Sequence, residues 1–339
     1  MNLRRRLFTA CIALLGAGLF LWLRLPLPFL LGPMFLCLAF ALGGAAMEGM
    51  GRLGTAFRTI LGVAAGTSIT PEAVAAIPGL ALSLLFVPVF VATVALVSFP
   101  LMRRGFGFDR MTSYYCAMPG GLQDLVVFGE QAGANVRVLS LVHATRILLI
   151  VSAAPFLLDW IWQVDLLARP GRPSAELPPA QIGWMVFAGL AGWGMAHRLG
   201  VFGASIIGPM VLAASLSLSG IITGRPPAEM IWACQFFIGM AVGAKYAGVT
   251  WGELRRVVFA GSVNGVLLAA VSAVFILSVS ASGIAAPLDA FLAFLPGGQG
   301  EMVVLAIIGG ADLGFVVLHH ILRVALVVTC APLVLRLAK

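Results

Sequence analysis

Pro296-Gly297-Gly298-Gln299-Gly300-Glu301 places a proline, three glycines and a carboxylate in six residues of otherwise apolar sequence, and a helix-like run with Asp312, His319, His320 and Arg323 follows it. No unbroken helix passes through such a stretch, because proline has no amide donor and glycine loses the most entropy on ordering. At membrane depth, non-helical backbone must be buried in protein or face a watery cavity. The pattern occurs once before, as Pro119-Gly120-Gly121-Leu122-Gln123-Asp124 followed by Asn135, His143 and Arg146. The chain is thus expected to contain a duplicated helix break.

Composition sets the medium. Of 339 residues, 61% are hydrophobic and 10% charged, and the mean hydropathy is +1.06, whereas a soluble domain is roughly a quarter charged. The apolar runs are about 20 residues long without a period of two, which points to membrane-spanning helices and excludes a barrel. The fold class expected is an all-α polytopic membrane protein. The formal charge of +8 is scattered through short loops beside apolar runs, as the positive-inside rule requires and a nucleic-acid surface does not. Cys11, Cys37, Cys116, Cys234 and Cys330 stand isolated in apolar segments, and the four histidines form no HExxH. Neither a metal nor another cofactor is expected.

The basic start up to Arg6 and the apolar run Leu7 to Leu23 read as a retained first span, since no small-residue cleavage site closes the run. The stretch from Asp159 to Gln181 is the most polar and proline-rich of the chain and divides it into a first membrane repeat (1–160), a linker (161–181) and a second membrane repeat (182–339). Gly32-Pro33-Met34 returns as Gly208-Pro209-Met210, 176 positions on; Gly62, Gly66, Pro119-Gly120-Gly121, His143 and Arg146 return 177 positions on as Gly239, Gly243, Pro296-Gly297-Gly298, His320 and Arg323. A nearly constant offset along a whole half indicates duplication. With five crossings per half and a Pro-Gly-Gly segment that dips in and returns, Arg4 to Arg6, Arg52, Arg58, Arg103, Arg104 and Arg110 share the cytoplasmic side with Arg198, Lys245, Arg255 and Arg256. That favours inverted repeats; a twelve-span chain with parallel repeats stays open.

A helix that ends inside the membrane exposes backbone donors or acceptors and about half a unit charge, and many secondary transporters bind solutes there. The candidate site for substrate or coupling ion is therefore Pro119, Gly120, Gly121, Asp124, His143 and Arg146 with Pro296, Gly297, Gly298, Glu301, His320 and Arg323. Asp124 and Glu301 hold equivalent places five residues after the prolines, and Arg146 and Arg323 are their expected ion-pair partners or direct solute contacts. His143 and His320, three residues earlier, share the arginines' helical face. His319 has no duplicate, Val142 being its counterpart, and is expected to pack locally.

Leu31-Gly32-Pro33, Ala117-Met118-Pro119-Gly120-Gly121, Val142-His143-Ala144-Thr145-Arg146, Leu295-Pro296-Gly297-Gly298-Gln299-Gly300-Glu301 and Leu318-His319-His320-Ile321-Leu322-Arg323 resemble the duplicated membrane AbrB family of bacteria. This family is described variously as a regulator and as an ammonia monooxygenase, and is distinct from the small DNA-binding AbrB factors. The resemblance implies a duplicated polytopic inner-membrane protein whose recurrent polar positions are the Pro-Gly-Gly segments, the carboxylates after them and the His-x-x-Arg residues. Together these readings favour a secondary transporter or exporter of a small solute over a membrane regulator or sensor acting through a partner, and over a membrane monooxygenase, for which no ligand cluster exists; no enzyme is expected. The expected partners are the lipid bilayer and a small solute, with a coupling proton or cation and self-association left open, and no nucleic acid.

The inverted-repeat topology places Met1 and Lys339 in the cytoplasm and Gln163 in the periplasm. Cysteine accessibility on a cysteine-depleted protein measures this, and a cytoplasmic residue 163 excludes the topology.

Overall fold

The computed structural model describes the backbone of residues 3–69, 71–201 and 203–337, and their side chains except those of 71–79, 123, 124 and 331–337; the sides expected for Met1 and Lys339 lie outside the described residues. All its regular structure is helical: α1 Leu3–Trp22, α2 Pro28–Leu42, α3 Arg52–Gly66, α4 Pro71–Pro100, α5 Arg110–Ala117, α6 Leu122–Gln131, α7 Val136–Trp162, α8 Pro179–Arg198, α9 Ala204–Leu218, α10 Ala228–Ala244, α11 Trp251–Glu253, α12 Phe259–Ala281, α13 Pro287–Phe294, α14 Gln299–Gly309 and α15 Leu313–Leu337. Short π-helical turns, Leu101–Gly105 and Leu254–Val258, end α4 and join α11 to α12. The starts of α1, α2, α5, α6 and α7 recur 176 or 177 positions later as those of α8, α9, α13, α14 and α15, so the duplication seen in single residues extends to whole elements. Leu3–Trp22, Leu80–Gly105, Val136–Trp162, Trp251–Ala281 and Leu313–Cys330 are long and apolar enough to cross a membrane, while α2, α9, α10 and α14 are apolar but shorter.

Two compact units form, and each takes segments from both halves: Met1–Ile77, Pro155–Gly248 and Val303–Gly314 make one, and Pro78–Ala154, Val249–Met302 and Phe315–Lys339 the other. The units therefore cut across the repeat boundary read from the sequence.

In the first unit, α2 packs on α1 and α10, and α9 on α8 and α3. Proline sets the starts of α2 and α8, at the first helical position where its missing donor costs nothing. Glycine sets how closely the helices approach. A Cβ on Gly16 would strike the Gly32 carbonyl, and one on Gly208 the carbonyl of Gly192. Likewise Gly62 and Gly66 lie against the carbonyls of Ile206 and Met210 on α9, and their counterparts Gly239 and Gly243 against those of Leu30 and Met34 on α2. Association in lipid draws little on the hydrophobic effect, so such backbone-to-backbone contact supplies the dispersion and excludes lipid. The linker is stitched to this unit: Ser174 N donates to Glu229 Oε2 at 2.9 Å and Ala228 N to the Arg172 carbonyl at 3.0 Å. Arg6 and Glu48 form an ion pair at 2.6 Å between the start of α1 and the turn before α3.

In the second unit, α5 packs against α6 and α13 against α12. Aromatic rings fill its interior, with Phe90 against Phe294 at 5.7 Å and Phe275 against both.

Gly208→Ala should destabilise the protein by about 1–3 kcal/mol, the usual cost of overpacking, because neither neighbouring backbone can give way. Gly194→Ala, which meets nothing within 4 Å, should be neutral or slightly stabilising. Thermal midpoints of the two variants in detergent provide the comparison.

Candidate functional site

The Pro-Gly-Gly segments lie in the second unit, where α5 stops at Ala117 and α6 starts at Leu122, and α13 stops at Phe294 and α14 starts at Gln299. The stops follow from the prolines, since the residue before a proline is driven out of the helical region. Met118 accordingly has φ −77° and ψ 131°, and Leu295 φ −63° and ψ 130°. Each stop leaves helix-terminal carbonyls without amide partners, in surroundings with little water to serve them.

Side chains from the following long helices take up those carbonyls. From α7, His143 Nε2 lies 3.1 Å from the Tyr115 carbonyl, and Arg146 donates from Nη1 to Met118 at 3.2 Å and from Nη2 to Gly120 at 2.9 Å. From α15, His320 Nε2 lies 2.9 Å from the Leu292 carbonyl, and Arg323 donates to Leu295 at 3.1 Å and to Gly297 at 3.2 Å. The three bonds correspond one to one between halves. Arg323 also reaches His320 Nδ1 at 2.9 Å; a guanidinium can only donate, so Nδ1 accepts and the ring proton sits on Nε2, aimed at Leu292. In the first half Asn264 of α12 supplies a further donor, Nδ2 to the Cys116 carbonyl at 3.4 Å.

This arrangement corrects the expected pairing of Arg323 with Glu301. The ion pairs formed among the described residues are Arg6–Glu48 and Arg137–Glu253, and the guanidinium of Arg323 is occupied by backbone acceptors instead. The Asp124 side chain lies outside the described residues. Glu301 is 4% exposed, with Oε2 buried and unpartnered, and its carboxylate folds back over the start of α14, where a Cβ on Gly298 would collide with it. Arg146, Arg323 and Glu301 are all buried within the second unit. The Nε–H groups of Arg146 and Arg323 and Nδ1 of His143 are also buried without a partner.

Pro119, Gly120, Pro296 and Gly297 are buried, and Gly121 and Gly298 are partly so. None of the four glycines has positive φ; they are needed for space. A Cβ on Gly120 would lie 2.9 Å from Val327 Cγ1, while one on Gly297 would meet the flexible end of Met302 at 2.5 Å. His319 bonds the carbonyl of Phe315 one turn earlier at 2.8 Å and stacks on that ring at 4.0 Å, which is local packing.

Sequence reasoning missed Asn264 and the bonds that Asp109, Thr112 and Asn135 form. Asp109 caps α5 by accepting from Thr112 N at 2.9 Å, and Asn135 N, at the start of α7, donates to Thr112 Oγ1 at 2.8 Å. The chain therefore returns to the end at which α5 began. An Asp-x-x-Thr cap ahead of an apolar run was the available signal.

Replacing Arg323 by Leu leaves the Leu295 and Gly297 carbonyls unsatisfied and should cost about 3 kcal/mol or more at 1–3 kcal/mol per buried acceptor. Arg323→Lys should restore part of this, because one ammonium lacks the fork that spans two carbonyls. Thermal midpoints of detergent-extracted protein report both, and an unchanged Arg323→Leu midpoint contradicts the bracing role.

Residues 29–339 match the family profile described as "Transition state regulatory protein AbrB". The chain is also similar to the Uncharacterized protein YhjN of Bacillus subtilis (strain 168), 30% identical over 241 residues that make up 66% of this chain and 62% of that relative. The chain thus spans less than two thirds of this relative's length. No solved structure matches. Among the described residues no group of three or more His, Cys, Asp or Glu is placed to hold a metal.

Proposed function

The chain belongs to the AbrB family, in a duplicated form unlike the small DNA-binding factors, and from that premise we propose a secondary transporter or exporter of a small solute. Its setting is a multi-pass protein of the bacterial inner membrane, given five apolar helices of spanning length and a bacterial relative. In this reading each α5–α6 and α13–α14 pair is a re-entrant hairpin, giving ten crossings and inverted repeats. The bond that ties the start of α7 to the first turn of α5 supports that odd count in the first half.

The observation that carries the proposal is the paired occupation of the helix-end carbonyls by Arg146 and Arg323. With the acceptor ends taken, the groups left for a solute are donors: the amino ends of α6 and α14, and the two Nε–H groups. A solute that presents acceptors fits them, and Glu301, covering the start of α14, is the carboxylate that a coupling proton or cation would neutralise. The second reading, a membrane regulator acting through a partner, is favoured by the family's description as a regulatory protein.

Solute flux in proteoliposomes under imposed proton and sodium gradients tests the proposal. Glu301→Gln keeps the side-chain shape and should leave a folded protein that has lost most of its gradient-driven flux. If the folded wild type moves nothing from a broad metabolite panel under any gradient, the regulator reading takes its place.

A further inference from the structure

The second unit holds a cavity of about 220 Å³ lined by Gly107, Phe108, Asp109, Thr112, Asn135 and Arg256, among others. Three candidate spans end beside it: Leu80–Gly105 stops two residues before Gly107, Val136–Trp162 starts one after Asn135, and Trp251–Ala281 starts five before Arg256. The cavity therefore opens at the boundary between hydrocarbon and water. Trp251 and Phe259, 71% and 58% exposed, stand on the same helix as Arg256 in the manner of an interfacial aromatic belt.

The π-helical turns beside the cavity carry the exposed pairs Arg103, Arg104 and Arg255, Arg256, and such turns often mark functional positions. Arg256 lies over the Phe108 ring at 5.6 Å and donates to the Phe106 carbonyl at 3.4 Å, which fixes the guanidinium without neutralising it. Asp109 lines the same cavity and forms no ion pair with Arg256. Burial raises the pKa of Asp109, but hydrogen bonds from Thr112 and Met111 outweigh it, so the group sits below the usual aspartate value and is charged at neutral pH. One cavity thus presents an unpaired cation and an unpaired anion.

The repeat supplies an internal control. At the positions 177 residues on from Phe108, Asp109, Thr112 and Asn135 stand Ala285, Ala286, Asp289 and Asp312, so the duplication itself does not demand an aspartate at this place.

We infer that this cavity is a lipid site that takes a phosphoethanolamine headgroup, with the phosphate on Arg256, the ammonium on Asp109 and the acyl chains along the lipid-facing side of α12. A guanidinium binds phosphate through a planar fork of donors, and the carboxylate favours a headgroup that brings its own N–H donors.

Delipidated full-length protein, titrated with dioleoyl phosphatidylethanolamine, phosphatidylglycerol and phosphatidylcholine and followed by native mass spectrometry, tests the assignment. Phosphatidylethanolamine should bind most tightly: phosphatidylglycerol has no ammonium, and the choline nitrogen has no N–H. Arg256→Gln should weaken it about tenfold, as for loss of a charge-assisted hydrogen bond. Asp109→Asn retains a good helix cap and should abolish the preference over phosphatidylglycerol. A wild type that binds the three lipids alike, an Arg256→Gln protein that binds phosphatidylethanolamine as tightly as the wild type, or an Asp109→Asn protein that keeps the preference over phosphatidylglycerol overturns the assignment. Water-soluble phosphoethanolamine binding as tightly as the lipid would point to a soluble zwitterion and overturn the lipid occupant.

Discussion

A backbone carbonyl in an apolar medium must find a donor, and much of the second unit follows from that requirement. Pro119 and Pro296 stop two helices where water is scarce, which strands the carbonyls of their last turns. The answer is a histidine and an arginine one turn apart on a neighbouring long helix, used twice. Two arginines in the interior of an apolar protein would otherwise be hard to accommodate. Here the bent backbone offers each guanidinium acceptors, and the guanidinium holds the bend.

The two copies of this device differ. In the second, arginine, histidine and the Leu292 carbonyl form a relay that fixes the imidazole tautomer; in the first, Nδ1 of His143 has no partner, and an asparagine from α12 contributes instead. Glu301 is a buried carboxylate of the second copy. The two copies are therefore alike in their backbone bracing and unlike in the side chains that complete it.

Much of this was legible in the sequence. Proline and glycine mark helix ends by covalent geometry alone, so the two interruptions and the repeat could be read from Pro119-Gly120-Gly121 and Pro296-Gly297-Gly298. The importance of Arg146 and Arg323 followed from the cost of a charge in an apolar run. Their partner did not, because the natural expectation for an arginine is a carboxylate, and backbone acceptors carry no signature in the residue alphabet. Asn264 was invisible for a related reason: only the packing of α12 against the α5 terminus gives its amide a role. The units were hidden too, since nothing in a linear repeat says that the first three helices of one half pack with the first three of the other.

The distance along the chain between each arginine and its acceptors is 28 and 26 residues in both halves. A helix turns by roughly 100° per residue, so inserting or deleting one residue within α6 or its turn would swing Arg146 about a quarter of the way round α7 and away from both carbonyls. The guanidinium thus works as a length gauge on the hairpin. Its chemistry can drift, as Asp124 and Glu301 show, whereas its residue count is held fixed by a side chain some 25 positions away, and the two copies have diverged in composition while keeping the same ruler.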